Sequence, residues 1–141
     1  MSLAYWRDIC ILNFPEFDEE HATILKALEA VYQDIQQVEE NYRIQAKLNF
    51  LFETTLLHCE TEERFMENYG YPDSKKHADQ HEELLNNVLN LRLKAEEQEE
   101  QLTLDMIHGI TAWLSRHSWE YDLQLVQFIQ SRRRRDSLLF T

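Results

Sequence analysis

Histidines and carboxylates at a helical spacing occur in the middle of the chain. His58 precedes Glu62 by four residues, and His77 precedes His81 by four. On a helix this spacing places two side chains on the same face, roughly 6 Å apart along the axis. Helical bundles present paired metal ligands to their interior in this way. The pattern therefore predicts a metal site inside a bundle of helices.

The composition favours long helices to carry these residues. The 141 residues include only two Gly and two Pro, and their number fits one domain. Apolar residues recur at intervals of three and four in four segments. These segments are separated by a polar corner at 39–41, by Gly70 with Pro72, and by an acidic run at 96–101. We therefore predict an all-α fold, an antiparallel up-down-up-down four-helix bundle.

The predicted bundle has an extension at each end. Residues 1–17, which include Trp6, lack helical periodicity, so we expect an extended N-terminal arm whose aromatic residues pack on the bundle. Asp18 is a good N-cap, and the bundle is predicted to run from there to about residue 131. A short C-terminal tail would cover 132–141. Together these parts form a single domain over 1–141.

Antiparallel helices bring together residues that lie equally far from the corner joining them. Glu62 and His81 are equally far from their corner, and so are His81 and His117 from the next one. His21 and His58 agree to within three residues. The bundle would therefore gather Glu62 and five histidines in one layer: His21, His58, His77, His81 and His117.

Such an interior is costly without a metal. A desolvated carboxylate costs several kcal/mol even after relaxation, and each unpaired imidazole adds about 1–3 kcal/mol. Together these penalties rival the ~5–15 kcal/mol stability of a whole domain. Metal ions would supply the missing positive charge, and their binding energy would contribute to folding.

A second carboxylate is harder to choose from spacing. Asp122 lies five residues after His117, which turns it roughly 140° off the ligand face of an ideal helix. Glu120 and Asp105 compete with it. Asp122 can reach the site in two ways. Either the helix contains a wide, π-type turn around 118–121, or it wraps around the metals.

These motifs resemble the hemerythrin family. His-x-x-x-Glu-Glu-x-x-Met begins at His58, Tyr-Pro and His-x-x-x-His follow, and Trp-Leu-x-x-His-x-x-x-x-Asp ends at Asp122. An Asp-Glu-Glu-His element ends at His21, so the resemblance spans about residues 5–130. The resemblance implies a non-haem di-iron centre (Fe²⁺/Fe³⁺) with a bridging oxo or hydroxo group, and it favours Asp122 as the second carboxylate.

The resemblance also implies how the ligands divide. One iron would be held by His77, His81 and His117, and the other by His21 and His58, with both carboxylates, Glu62 and Asp122, bridging the two. The iron with two histidines would keep an open position for dioxygen. Imidazole and carboxylate suit iron, although Mn and Zn accept the same ligands. The histidine-rich set carries little negative charge, so we expect it to favour the diferrous state and reversible oxygen binding.

The ligand pocket departs from the family pattern at two positions. The family has Phe after the histidine at 58 and Ile after that at 117, whereas this chain has Cys59 and Ser118. With Trp113 and Leu114 these residues would line the oxygen pocket. A smaller and more polar wall would admit water or anions, so we expect faster autoxidation. The alternative is that both are ordinary small residues backed by rearranged neighbours.

Charge and cysteine content limit the partners. The net charge of −12 argues against nucleic acid and against anionic membrane surfaces. Two cysteines, Cys10 and Cys59, do not make a disulfide framework, so a cytoplasmic protein is expected. His108 lies off the ligand face and is expected to be solvated. The run Arg132–Arg135 would end the fourth helix or dock on an anionic partner.

The expected function is oxygen binding rather than catalysis. The predicted protein binds dioxygen, or another small diatomic or anionic ligand, for storage, transport or sensing, as a monomer or weak homo-oligomer. The alternative is an enzyme, a di-iron oxidase, peroxidase or nitric-oxide-handling protein with a more open pocket.

Overall fold

Four helical rods make up the bundle in the computed structural model, which describes residues 10–37, 41–97 and 102–139. The rods are α1 (Pro15–Gln36), α2 (Asn41–Tyr69), α3 (Ser74–Glu97) and a fourth rod made of α4 (Leu104–His117), a π-helical turn (Ser118–Asp122) and α5 (Leu123–Leu139). Each rod packs against the next along the chain, and α1 closes the ring against α4. The described ranges contain no strand. The predicted all-α four-helix bundle is therefore confirmed.

The corner after α2 follows its sequence signal closely. Gly70 adopts a left-handed conformation with φ +63°. The N–H of Tyr71 donates to the carbonyl of Met66 at 2.9 Å, and that of Gly70 donates to Glu67 at 3.3 Å. This pair of bonds is a Schellman motif, which favours glycine because a side chain at positive φ is strained. The corner fixes where α3 begins relative to α2, and so sets its histidines opposite Glu62.

The predicted N-cap of α1 is wrong by four residues. The helix begins at Pro15, a favoured first position, and Phe14 rather than Asp18 is its N-cap residue. Asp18 instead accepts hydrogen bonds from the N–H groups of Leu12 and Phe14, at 2.8 and 3.0 Å. Its carboxylate therefore fixes the end of the arm against the first turn of the helix. The arm aromatic Trp6, the centres of two corners (38–40 and 98–101) and residues 140–141 lie outside the described residues.

The fourth rod extends beyond the predicted bundle. α5 continues to Leu139, so the segment predicted as a tail from 132 is helical over most of its length. Every described side chain from 131 onward is exposed. Arg133 lies over the rings of Phe14 and Phe65 and donates to the Tyr69 hydroxyl at 2.9 Å, so it joins the base of this extension to the arm. None of the helices described has the length and apolar composition needed to cross a membrane.

Two apolar clusters fill the bundle interior. The larger one contains Leu28, Leu51 and Val88, and the smaller one contains Phe17 and Met66. Along α1, α2 and the fourth rod, His21, Glu62, His117 and Asp122 lie between the positions that join the larger cluster and those that join the smaller one. Apolar packing therefore bounds a polar layer on both sides and keeps it away from bulk water.

Candidate metal centre

The polar layer contains all seven side chains that the sequence predicted as metal ligands. They are at most 3% exposed. Their nitrogen and oxygen atoms form two groups, and within each group one ligand atom per residue lies within 4.8 Å of every other. The first group contains three histidines and the second contains two, and both include the same two carboxylates, Glu62 and Asp122.

The three-histidine group joins α3 to the fourth rod. His77 Nε2 lies 2.9 Å from Asp122 Oδ1, and His117 Nε2 lies 3.0 Å from the same oxygen. His81 Nε2 lies 2.9 Å from Glu62 Oε1. His117 is stacked between two aromatic rings, Trp113 at 5.1 Å and Tyr121 at 5.3 Å between centroids. Aromatic rings thus enclose this side of the layer.

The two-histidine group joins α1 to α2. His21 Nε2 lies 3.1 Å from Asp122 Oδ2, and His58 Nε2 lies 3.2 Å from Glu62 Oε1. Asp122 therefore presents one oxygen to each group of histidines. Glu62 uses a single oxygen, Oε1, toward both groups, while its buried Oε2 has no hydrogen-bond partner among the described residues.

The π-helical turn explains how Asp122 reaches the layer. Sequence spacing allowed either a wide, π-type turn or a helix that wraps around the metals. The structure has the wide turn, which covers Ser118–Asp122. The extra residue in this turn brings Asp122 to the same face as His117, five residues earlier. Asp122 is fully buried, whereas the rival carboxylates Glu120 and Asp105 are exposed.

Outer hydrogen bonds orient three of the imidazoles. The Nδ1 atom of His21 lies 2.9 Å from the carbonyl of Cys10. That of His58 lies 2.8 Å from Glu20 Oε1, and that of His81 lies 3.4 Å from Glu63 Oε2. An Nδ1–H that donates to such an acceptor leaves Nε2 with a free lone pair directed into the layer. This arrangement is the one that metal-ligating histidines use.

The sequence prediction missed these outer partners. Glu20 and Glu63 each adjoin a predicted ligand, but no spacing rule distinguishes them from the many other glutamates of the chain. Thr61 also donates to Glu20, at 2.8 Å, so this carboxylate is held from two sides. Cys10 was missed because it contributes a backbone carbonyl, and a side-chain pattern carries no signal for that.

The buried charges shift the pKa values of the layer strongly. Burial lowers the pKa of His58, but the nearby Glu62, Asp122 and Glu20 carboxylates outweigh it and hold the pKa well above its usual value. Burial likewise opposes the charge on His81, yet hydrogen bonding to Cys59, Glu62 and Glu63 raises its pKa to about 12. The negative charges of Glu62 and Asp122 thus favour the protonated, positively charged form of these imidazoles.

The carboxylates show the reciprocal effect. Burial raises the pKa of Asp122, but the charge on His117 and hydrogen bonds to His117, His21 and His58 hold it well below its usual value. The pKa of Glu62 is lowered too, because His58 and His77 outweigh burial and the repulsion by Asp122. Both groups are therefore anionic acceptors, as metal ligands must be.

The atoms left unpaired fit a metal better than they fit an apolar core. Buried Nε2 atoms of His58 and His117 and Oε2 of Glu62 lack well-formed hydrogen bonds within the described ranges. Leaving such groups unpaired costs about 1–3 kcal/mol each. Two divalent cations, one per group, would satisfy all three atoms and replace the protons on the imidazoles. Imidazole with bridging carboxylate is a donor set suited to iron.

The four residues predicted to line the ligand pocket take different positions. Ser118 and Leu114 are fully buried, and Cys59 is 1% exposed. Cys59 lies within hydrogen-bonding reach of His81, on the three-histidine side. Trp113 is half-buried and stacks on His117. His108, expected to be solvated, is half-buried and contacts the Tyr32 ring edge to face, so it is in part accessible to solvent.

Ser118 instead borders the two-histidine side, together with a residue that the sequence did not single out. The Cys10 thiol lies within reach of the Ser118 and Ser115 hydroxyls, with Sγ 3.9 Å from Ser115 Oγ. The charged groups that act on this thiol are Asp122 and His58, both members of the two-histidine group. Burial is the main cause that raises the pKa of Cys10.

Curated bacterial proteins resemble this chain in sequence. Bacteriohemerythrin of Pseudomonas paraeruginosa is 28% identical over 118 residues, which cover 83% of this chain and 75% of the relative. Bacteriohemerythrin of Pseudomonas aeruginosa matches to the same extent, with 28% identity over 118 residues. No family model matches the chain.

Solved structures resemble it in fold. A crystal structure of wild-type hemerythrin aligns with a TM-score of 0.74 at 23% identity, over 80% of this chain and 86% of that chain. A crystal structure of a hemerythrin mutant aligns with a TM-score of 0.77 at 21% identity, over 84% of this chain and 89% of that chain. At such identities the likeness shows the four-helix bundle, and the seven side chains of the polar layer add the site.

Proposed function

We propose that this chain is a member of the hemerythrin family, that it holds two iron ions in its polar layer, and that it binds dioxygen reversibly there. The observation that supports the proposal is the sharing of Glu62 and Asp122 between a group of three histidines and a group of two. Carboxylates shared in this way would hold two ions close together, which would suit a pair joined by an oxo or hydroxo group.

The seven ligands proposed from the sequence divide as their geometry suggests. His77, His81 and His117 would hold one ion, and His21 and His58 the other, with Glu62 and Asp122 between them. The first ion would have three nitrogen donors and the second only two, so the second ion would keep an open position. When bound, the iron pair would supply the electrons that reversible oxygen binding requires.

The remaining residues position these ligands and keep water out. Glu20 and the carbonyl of Cys10 hold the two imidazoles of the open side in the tautomer that directs Nε2 inward. The apolar clusters on both sides of the layer exclude bulk water, which strengthens the electrostatic attraction between ligands and metal. A dry and histidine-rich environment favours release of intact dioxygen over its further reduction.

An enzymatic role is the second candidate, and one observation favours it. Ser118 and Cys10 give the open side a polar wall. Hydroxyl and thiol groups can hold water or a proton donor near a bound ligand, which promotes oxidation of the iron pair. A di-iron oxidase, a peroxidase or a nitric-oxide-handling enzyme would use such a wall.

The optical spectrum of the iron-loaded protein under cycles of oxygen and argon separates the two roles. Reversible binding predicts a visible band that appears with oxygen and disappears with argon over repeated cycles. An enzyme would convert to the diferric form after the first cycle and would turn over with peroxide or nitric oxide. Absence of iron from the purified and reconstituted protein would refute both.

We also propose that the protein works in the cytoplasm as a monomer or weak homo-oligomer. Both of its cysteines are free and buried, which suits a reducing compartment. Fractionation of cells and sedimentation of the purified protein test these two statements.

A further inference from the structure

The buried Ser and Thr hydroxyls of the described ranges each have an acceptor, with one exception. The hydroxyl of Thr61 donates to Glu20 at 2.8 Å. The hydroxyls of Thr55, Thr111 and Ser115 each donate to the backbone carbonyl four residues earlier, at 2.7–3.0 Å. Helical Ser and Thr commonly satisfy themselves in this way when buried. Ser118 is fully buried and makes no such bond.

The position of Ser118 explains why its hydroxyl remains available. It is the first residue of the π-helical turn, where the backbone leaves the α-helical spacing. Among the described residues no group forms a well-aligned hydrogen bond with Ser118 Oγ, although the Cys10 thiol lies within reach. An unused buried donor costs about 1–3 kcal/mol, so a bound ligand that accepts from it would recover this loss.

Cys10 supports the hydroxyl from the arm. Its backbone carbonyl lies 2.9 Å from Nδ1 of His21, which fixes the residue beside the two-histidine group. Its side chain is 1% exposed and faces Ser115 and Ser118. Ser115 already donates to Thr111, so its hydrogen is committed, and the hydrogen of Ser118 is the one left for a ligand.

We propose that Ser118, backed by Cys10, is the hydrogen-bond donor to the small ligand bound at the two-histidine side, and that this pair makes the site select ligands carrying an acceptor atom. The inference rests on the proposed function, because it requires a metal ion held by His21 and His58. It adds a specificity-determining residue and a supporting thiol outside the seven ligands.

Azide titration of the diferric protein, followed by absorbance, tests the inference, since azide carries a charge and accepts hydrogen bonds. Ser118→Ala should weaken azide binding at least about tenfold, as expected for loss of one hydrogen bond to a charged group. Ser115→Ala is the matched control, because its hydroxyl serves the backbone, and it should change the affinity less than about twofold. Cys10→Ala should reduce the azide affinity less than Ser118→Ala does.

The metal-free protein provides a second readout that does not depend on iron. The infrared S–H stretching band of Cys10, assigned by its loss in Cys10→Ala, should shift in Ser118→Ala as well as in Ser115→Ala, because the thiol lies within reach of both hydroxyls, while the band of Cys59 stays in place. Equal azide affinity in Ser118→Ala and wild type, or an equal loss in Ser115→Ala, would overturn the inference. Failure to load iron would refute the proposed function instead, and an unshifted S–H band would overturn the pairing with Cys10.

Discussion

The two sides of the polar layer share their carboxylates but differ in what surrounds them. On the three-histidine side, His117 is stacked between Trp113 and Tyr121. On the two-histidine side, Phe17 contacts His58 edge to face, and the other neighbours are the arm at Cys10 and the unpaired hydroxyl of Ser118. The first environment is helical and stacks rings on both faces of one imidazole, whereas the second includes an unpaired hydroxyl and is partly built from non-helical chain. If two ions are bound as proposed, this difference would give one side a complete set of ligands and leave the other able to accept a small molecule.

The largest predicted effect comes from a residue that both sides need. Asp122→Ala removes both the oxygen that faces the three-histidine group and the oxygen that faces the two-histidine group. Both iron ions should therefore be lost, not one. Buried charge left without its partner typically costs about 3–5 kcal/mol, so the metal-free variant should also unfold at lower temperature. Metal analysis after reconstitution and thermal unfolding measure the two effects. Glu120→Ala, at an exposed position of the same turn, is the control. A variant that retains both ions would contradict the bridging role.

The outer carboxylates allow the two sides to be weakened separately. Glu20 contacts His58 at 2.8 Å, while Glu63 is 44% exposed and contacts His81 at 3.4 Å. Outer partners of metal ligands typically contribute about 10–100-fold in affinity. Glu20→Gln should therefore weaken iron binding within this range, and Glu63→Gln should weaken it less, because solvent screens the longer contact. Competition with a chelator measures both. Equal losses of iron affinity in Glu20→Gln and Glu63→Gln would contradict the expected difference between the two sides.

The two small pocket residues should differ in their effect on autoxidation. Sequence comparison placed Cys59 and Ser118 in one pocket, but Cys59 reaches His81 on the three-histidine side. Ser118→Ala should slow autoxidation a few-fold, because it removes the hydroxyl that can hold water at the open position. Cys59→Ala should leave the rate nearly unchanged. Stopped-flow decay of the oxygenated band provides the comparison, and a slower rate in Cys59→Ala alone would show that the pocket lies on the other side.

The smallest effect is expected at the anchor of the arm. Arg133 lies 5.2 Å from the Phe14 ring centroid, hydrogen-bonds Tyr69 and approaches Glu16 at 3.9 Å. Cation–π contacts at exposed sites contribute about 0.5–1 kcal/mol. Arg133→Gln should therefore lower the free energy of unfolding by roughly that amount, as measured by urea titration. Arg134→Gln, one position along the same exposed run, should change it less.

The residues that could be predicted from sequence were those carried by helical periodicity. His58 with Glu62 and His77 with His81 share a face because of their spacing, and the bundle brings the faces together. Asp122 needed the π-helical turn, which spacing allowed but could not choose. Glu20 and Cys10 could not be found, because one is an unexceptional glutamate and the other acts through its backbone. The arm also lacks a repeating pattern, so its contacts depend on tertiary packing.

Anomalous diffraction at the iron edge, from crystals of the reconstituted protein, would locate the iron in the bundle. We expect two iron peaks in the polar layer, one among the three histidines and one between His21 and His58, with Glu62 and Asp122 contacting both. A single peak, or an interior without iron in which the seven side chains pair only with one another, would contradict this expectation.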